Sequence, residues 1–148
     1  MQAEQGQVAK MRVKSQPLIA VRDVRASSTW YRTLLDATSM PEHEHRRRYD
    51  RILCGGQLIL QLHAWDEENH PNLTNADAAP AGRGVLLWFE VSDFDATVRR
   101  VRSLKAQILE EPHNNPNSGQ REMWIRDPDQ YVVVVTEPDG EENGRGNS

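Results

Sequence analysis

The sequence predicts an α+β fold made of two tandem βαβββ modules, which occupy residues 16–65 and 83–137. Three observations predict it. The order strand, helix and then a run of strands occurs twice, which indicates an internal repeat. Each helical segment carries its apolar residues on one side, so each sheet is expected to have a helix on one of its faces. A length of 148 residues favours a single domain with its own core.

In the first module, residues 17–22 (PLIAVR) predict a strand and residues 26–37 (ASSTWYRTLLDA) predict a helix. Ser27 or Ser28 is expected to cap the start of this helix with its hydroxyl group. The predicted apolar stripe of the helix consists of Trp30, Tyr31, Leu34 and Leu35.

Two further strands of the first module are predicted to form a hairpin. Residues 46–54 (RRRYDRILC) and 57–65 (QLILQLHAW) flank Gly55-Gly56, and a pair of glycines between two apolar runs is a strong hairpin signal. Cys54 precedes the glycines without a histidine close in sequence to activate its thiol. We therefore interpret Cys54 as a structural residue.

The second module repeats the pattern, with Ser92-Asp93 as the expected helix cap. The segment at 112–119 (PHNNPNSG) is typical of turns. The predicted helix carries its apolar face on Phe94, Val98, Val101 and Leu104. Strands are predicted at 84–91, 106–111, 120–126 and 131–136.

The polar parts of the chain are predicted to lie outside the core. The apolar fraction is 37% and the mean hydropathy is -0.75, which is low for a chain that is packed throughout. Residues 1–15 and 138–148 are polar and are expected to be disordered tails. Residues 66–82 (DEENHPNLTNADAAPAG) form the linker between the modules, and a linker of this length is either mobile or a lid.

The charge and cysteine content exclude some functions. A net charge of -4 and a pI near 5.7 argue against nucleic acid as a partner. The sequence lacks an apolar run of the length that crosses a membrane, so a membrane is not an expected partner. A single cysteine excludes an internal disulfide and fits a reducing compartment, for which the cytoplasm is the default expectation.

Three short motifs stand out in the sequence. They are Val21-Arg22-Asp23 leading into Ser28-Thr29-Trp30-Tyr31, then Phe89-Glu90-Val91-Ser92-Asp93, and Asp127-Pro128-Asp129. Together they resemble the vicinal-oxygen-chelate superfamily, which includes glyoxalase I, extradiol dioxygenases, fosfomycin-resistance enzymes and bleomycin-resistance proteins. The resemblance covers about residues 16–137. It implies two curled mixed sheets around a cleft, with a divalent metal, where present, bound by one side chain from each of four strands.

The residues at the four metal positions implied by the resemblance are Gln16, Gln61, Leu86 and Val134. Divalent metals in such sites require carboxylate oxygens or imidazole nitrogens. Two neutral amides and two hydrocarbon side chains cannot replace those ligands. We therefore predict neither a metal nor another cofactor at these positions, and we assign no catalytic residue.

One alternative is a relocated metal or acid–base site. His63 follows Gln61 by two residues and Glu90 follows Trp88 by two, so each pair shares one face of its strand. A site that uses His63 and Glu90 is conceivable, although an ordinary hydrogen-bonded histidine is the more common role.

The cleft that remains is predicted to bind a small molecule. Strand alternation leaves open whether Trp124 and Arg126 or Met123 and Ile125 face it. Val132 and Thr136 lie two residues before and two residues after Val134, so they are expected to share its face of the strand. The predicted ligand-binding residues are Gln61, His63, Leu86, Trp88, Glu90, Trp124 and Val134.

The leading hypothesis is a metal-free binding protein of the bleomycin-resistance type, which sequesters an aromatic or cationic ligand and would contribute to antibiotic resistance. The second is a lyase, isomerase or dioxygenase with relocated metal ligands, or a metal-free enzyme with His63 as general base. The third is a structural protein in which bulky side chains have closed the cleft. The resemblance also implies a homodimer, because members of the superfamily commonly complete their clefts by pairing.

Overall fold

The computed structural model describes residues 14–39, 48–65, 73, 77 and 82–138. Most of the predicted N-terminal tail, linker and C-terminal tail lies outside these residues. Within them, the predicted fold class is confirmed: there are two four-stranded mixed sheets and two helices in two successive modules. Among the described residues, neither helix is long and apolar enough to span a bilayer.

The first module has one helix and a sheet of order β1-β4-β3-β2. Strand β1 runs parallel to β4, and the other pairs are antiparallel. The β3–β4 turn places Gly55 and Gly56 at φ 59° and 78°, the two positive angles that a tight hairpin turn requires. The elements are β1 (Leu18–Val21), α1 (Val24–Leu35), β2 (Thr38–Ser39), β3 (Tyr49–Cys54) and β4 (Gln57–Ala64).

The second module repeats this arrangement in a sheet of order β5-β8-β7-β6, with β5 parallel to β8. Two differences from the sequence prediction concern strands. The two-residue strand β2 was not predicted, and β6 continues to Asn114, inside the segment predicted as a turn. The elements are β5 (Leu86–Glu90), α2 (Phe94–Leu104), β6 (Gln107–Asn114), β7 (Arg121–Arg126) and β8 (Val132–Thr136).

The two helices start in the same way. Asp23 and Asp93 each accept a hydrogen bond of 3.0 Å from the backbone N–H three residues later. The Asp93 cap agrees with the prediction. The prediction that Ser27 or Ser28 caps the first helix is wrong, because that helix begins earlier, at Val24, and both serines are buried within it.

The core lies between each sheet and its helix and continues from one module to the other. The helix-facing sides of the sheets contribute alternate residues such as Leu60, Leu62, Val133 and Val135, which are fully buried. Tyr31 of α1 lies edge-on to Phe89 of β5, with ring centroids 6.4 Å apart. The strand residues between the buried ones therefore point to the opposite face of each sheet, away from the helices.

Candidate functional site

The face of the second sheet that points away from α2 carries three rows of side chains, and we call it the open face. Strand register defines the rows, since directly paired residues share a face. The first row is Leu86, Val132, Arg126 and Gln107. The second is Trp88, Val134, Trp124 and Glu110. The third is Glu90, Thr136, Glu122 and His113.

The middle row is aromatic. Trp88 and Trp124 pair with Val134 from either side, and their rings meet edge-to-face with centroids 6.3 Å apart. Val134 is fully buried, yet it lies outside the main core cluster. The two indoles therefore account for its burial, and they form the floor of the open face.

The open face presents large apolar groups to the exterior. Leu86 and Trp88 are each 47% exposed, which is unusual for side chains of this size. Beside them, Arg126, Val132 and the segment 82–86 line a shallow cavity of about 530 Å³. An exposed aromatic and aliphatic surface with a few polar groups is typical of a recognition site.

The structure resolves which face of β7 belongs to this surface. Trp124 and Arg126 lie on the open face, whereas Met123 and Ile125 are fully buried against the helix. Five of the seven predicted ligand-binding residues thus share one surface: Leu86, Trp88, Glu90, Trp124 and Val134.

The other two predicted residues, Gln61 and His63, lie on β4 in the first sheet, which shares no strand pairing with the second among the described residues. Tyr49 donates a 2.5 Å hydrogen bond to the Gln61 oxygen, and the Gln61 amide donates a 3.0 Å bond to the Gln16 carbonyl. His63 Nδ1 lies 2.6 Å from the Ala64 carbonyl oxygen, and its ring meets Tyr49 edge-on. On this face of the first sheet, Gln61 and His63 lie beside Tyr49, Arg51 and the exposed Leu18.

The four positions implied for a superfamily metal do not fit a divalent ion. The amide of Gln61 is engaged at both its oxygen and its nitrogen. Val134 is buried beneath two indoles, and Leu86 has no donor atom. Because a metal requires several anionic or imidazole ligands around one point, we derive no chemistry through an ion at these positions.

The third row contains a cluster that the sequence analysis missed. Glu110, His113 and Glu122 each bring one ligand-type atom to within 4.8 Å of the others. His113 Nε2 lies 3.2 Å from a Glu122 oxygen and 3.3 Å from a Glu110 oxygen. Two irregularities in the β6–β7 register, one on each side of Glu110, place residues 110 and 113 on the same face, which plain alternation does not allow.

Hydrogen bonds from outside the cluster fix its geometry. Asn115 and Trp124 each donate a 2.9 Å hydrogen bond to the Glu122 carboxylate, and His113 Nδ1 lies 2.8 Å from the Glu111 carbonyl oxygen. Burial raises the pKa of Glu122, but these two donors and His113 outweigh it, so the net shift is downward. The hydrogen bond to the Glu111 carbonyl raises the pKa of His113, with a further contribution from Glu122.

A second cavity, of about 390 Å³, lies between the two modules. Cys54, at the β3–β4 turn, is exposed at its rim, and Glu90 lines it from β5. Asp36 and Arg100 approach each other across it at 3.6 Å. This cavity shares Glu90 with the open face but is lined mainly by other residues.

The fold and the open face define a two-module α+β domain with an exposed aromatic sheet surface. Residues 13–135 match the family model of the Glyoxalase/Bleomycin resistance protein/Dioxygenase superfamily. The match covers most of the chain, so the chain belongs to this superfamily. Comparison with curated proteins gives no match.

Solved structures share the fold along nearly their whole length. A protein of unknown function from Agrobacterium tumefaciens str. C58 is 22% identical, with a TM-score of 0.68 over 88% of this chain and 98% of its own. Lactoylglutathione lyase from Agrobacterium tumefaciens is 21% identical, with a TM-score of 0.62 over 87% and 96%. Fosfomycin resistance protein FosX from Mesorhizobium loti is 16% identical, with a TM-score of 0.62 over 90% and 98%. At these identities the likeness establishes the fold alone.

Proposed function

We propose that this protein binds a small aromatic, cationic molecule on the open face of its second sheet without a metal at the superfamily positions. The observation that carries the proposal is the half-exposed ring of Trp88, held edge-to-face against Trp124 above the buried Val134. A planar ligand can stack on the free surface of this indole.

The charge of the open face favours a cation. Glu90 follows Trp88 by two residues on β5, and its side chain is exposed on the same face, about 7 Å farther along the strand. A cation over an indole gains from the negative ring face, and a nearby carboxylate adds to this attraction. Arg126 lies at the opposite end of the open face, where its guanidinium donates to the Gln130 carbonyl at 2.8 Å.

Sequestration of a ligand, which needs no metal, agrees with the absence of metal-binding side chains at the four superfamily positions. The same scaffold serves a lyase in one similar structure and a fosfomycin resistance protein in another. In this chain the buried Val134 replaces a metal ligand with a hydrocarbon wall. For this chain, the aromatic floor and the lack of anionic ligands at the superfamily metal positions favour sequestration of a ligand over catalysis.

We propose further that a second copy of the chain covers the open face. Leu86 and Trp88 are half-exposed in the single chain, and a ligand held on such a flat surface would remain largely in water. The face of the first sheet that carries Gln61 and His63 would then lie opposite the tryptophans of the partner.

Titration of a panel of planar aromatic cations and their neutral isosteres, followed by tryptophan fluorescence and calorimetry, tests the proposal. We expect Trp88→Ala to weaken binding of the cations by about tenfold or more, since stacking and cation–π contacts are lost. Glu90→Gln should reduce the preference for cations over neutral isosteres. Trp30→Phe is the matched control, because Trp30 packs on the core from α1 and its loss alters fluorescence without touching the open face.

Equal affinities of the wild type and Trp88→Ala for every ligand that binds would contradict the site. Light scattering over a concentration series tests the pairing separately. A monomer that still binds the cations would contradict the second copy but leave the ligand site intact.

A further inference from the structure

We propose that Glu110, His113 and Glu122 form a binding site for one divalent transition-metal ion, with zinc as the best-matched ion. The site lies at the β6 edge of the open face, at positions other than Gln16, Gln61, Leu86 and Val134. It does not depend on the aromatic ligand proposed above.

Two of the three distances within the cluster match metal coordination, and the third, between Glu110 and Glu122, is at most 4.8 Å. Zinc binds imidazole nitrogen and carboxylate oxygen at about 2.0–2.2 Å, so two ligands of a tetrahedral ion lie about 3.3 Å apart. His113 Nε2 is 3.2 Å from Glu122 and 3.3 Å from Glu110. Three protein ligands then surround the ion, and the remaining position is open to water or to a donor atom of a ligand.

The orientation of the histidine ring supports the same conclusion. Nδ1 faces the Glu111 carbonyl oxygen at 2.8 Å, which requires that Nδ1 carry the hydrogen. In the neutral ring, Nε2 therefore presents its lone pair to two carboxylate oxygens. A histidine held by a backbone carbonyl through one nitrogen, with the other free to coordinate, is the usual arrangement at metal sites.

Charge and burial also favour a cation at this point. Among the described residues, His113 is the only ion-pair partner of either Glu110 or Glu122. The Glu122 side chain is 5% exposed and is oriented by Asn115 and Trp124, whereas those of Glu110 and His113 are 49% and 35% exposed. One ligand is thus rigidly held, and the other two leave a path from solvent.

The donor set selects the class of ion. Calcium and magnesium prefer sites made of oxygen ligands, while imidazole favours zinc and the neighbouring transition metals. One imidazole with two carboxylates therefore favours a borderline ion such as zinc over the hard cations.

Calorimetric titration of the chelator-treated full chain with zinc chloride, and with calcium chloride for comparison, tests the site. We expect one zinc ion per chain, a higher midpoint of thermal unfolding with zinc, and weak or absent calcium binding. Cobalt chloride gives a second readout, since imidazole coordination changes its visible absorption spectrum.

Two pairs of variants decide whether these residues hold the ion. Glu110→Gln should lower zinc affinity by about 100-fold or more, whereas Glu111→Gln, the neighbouring exposed carboxylate paired with Arg102, should leave it unchanged. His113→Ala should abolish the cobalt spectrum, whereas His63→Ala should retain it. Glu110 is preferred to Glu122 for this test because its exposed side chain can change without unfolding the protein.

Equal zinc affinity in Glu110→Gln and Glu111→Gln would overturn the proposal and would identify the cluster as a carboxylate–imidazolium network that binds only a proton. The metal titration uses no organic ligand, and Trp88→Ala should not affect it. Failure of the metal site is therefore distinguishable from failure of the proposed ligand site.

Discussion

The hydroxyl group of Tyr31 donates a 2.6 Å hydrogen bond to the buried carboxylate of Asp127, and this bond joins helix α1 of the first module to the β7–β8 turn of the second. The other Asp127 oxygen accepts backbone N–H bonds from Asp129 and Tyr131. Tyr131 in turn donates to the Ala20 carbonyl of β1 at 2.9 Å. The turn is therefore a joint between the modules.

The same joint connects two of the short motifs, the one at residues 21–31 and the one at residues 127–129. Asp129 accepts from the Arg22 backbone N–H at 2.8 Å and from the Ser27 hydroxyl at 3.2 Å. The residues before and within α1 thus contact the turn more than 100 positions later. The first and third motifs are far apart in sequence but form one hydrogen-bonded cluster in the fold, and Phe89 of the second motif meets Tyr31 edge-on.

Replacement of Tyr31 by phenylalanine should destabilise the protein by roughly 1–3 kcal/mol, because it removes a hydrogen bond to a buried carboxylate and leaves that oxygen without the donor. Urea denaturation measures the change. Tyr49→Phe is the control: it loses the hydrogen bond donated to the half-buried Gln61 and the one accepted from the exposed Arg51, and we expect less than about 1 kcal/mol. Equal losses in the two variants would contradict a special role for the joint.

The stability contributed by Asp127 should fall as the pH rises. Burial raises the pKa of this carboxyl from 3.8 to about 6, although Tyr31 and two backbone N–H groups oppose the shift. Between these two values the folded state binds more protons than the unfolded state, so the free energy of unfolding decreases with pH in this range. At about 1.4 kcal/mol per pKa unit, the full loss across this shift is roughly 3 kcal/mol, of which about 2 kcal/mol falls between pH 4 and pH 6.

Asp127→Asn supplies the comparison for that measurement. Urea denaturation at several pH values gives the free energy of unfolding of both proteins, and the difference between them isolates this group from the other carboxylates. We expect the wild type to lose stability relative to the variant from pH 4 to pH 6. A constant difference over that interval would show that the folded and unfolded pKa values are the same.

Much of the fold could be predicted because local signals and tertiary packing agree. The valines of β8 alternate as expected: Val133 and Val135 face the helix, while Val134 faces the other side. The Gly55-Gly56 hairpin likewise follows from local chemistry alone. These elements depend on neighbours in sequence, which is why a pattern is sufficient.

The prediction of the first helix cap is wrong because tertiary contacts decide where the helix begins. The hydroxyl groups of Ser27 and Ser28 are used elsewhere, in bonds to Asp129 and to the buried Asp50, and the helix start passes to Asp23. Such partners lie far away in sequence and cannot be recognised by a capping pattern.

The third row of the open face was missed because β6 is irregular. Glu110 and His113 lie three residues apart, a spacing that places side chains on opposite faces of a regular strand. The register shifts on either side of Glu110 bring both side chains to the same face of β6. Glu122 comes close to them only because β7 pairs with β6. The only signal in the sequence was a glutamate and a histidine three residues apart, and this spacing indicates a metal site in a strand only if a bulge is present.

The aliphatic residue at position 134 should be required for stability. Val134→Glu places a carboxylate in a fully buried position beneath two tryptophans, and we expect a loss of roughly 3–5 kcal/mol. Leu86→Glu is the matched control, since residue 86 is 47% exposed and should cost only about 1 kcal/mol. Urea denaturation compares the two. Similar losses would indicate that the indoles do not seal this position.

Trp124 should connect the two proposed sites, because its ring forms part of the aromatic floor and its Nε1–H donates to Glu122 at 2.9 Å. Trp124→Phe keeps an aromatic ring but removes the donor, so we expect zinc affinity to fall by about 10-fold while binding of aromatic cations changes little. Trp88→Phe is the control, because Trp88 has no such bond and zinc affinity should be retained. Calorimetry with zinc chloride alone measures both variants. If they bind zinc as the wild type does, Glu122 does not need the indole donor to hold the ion, and the coupling between the aromatic floor and the metal ligands is absent.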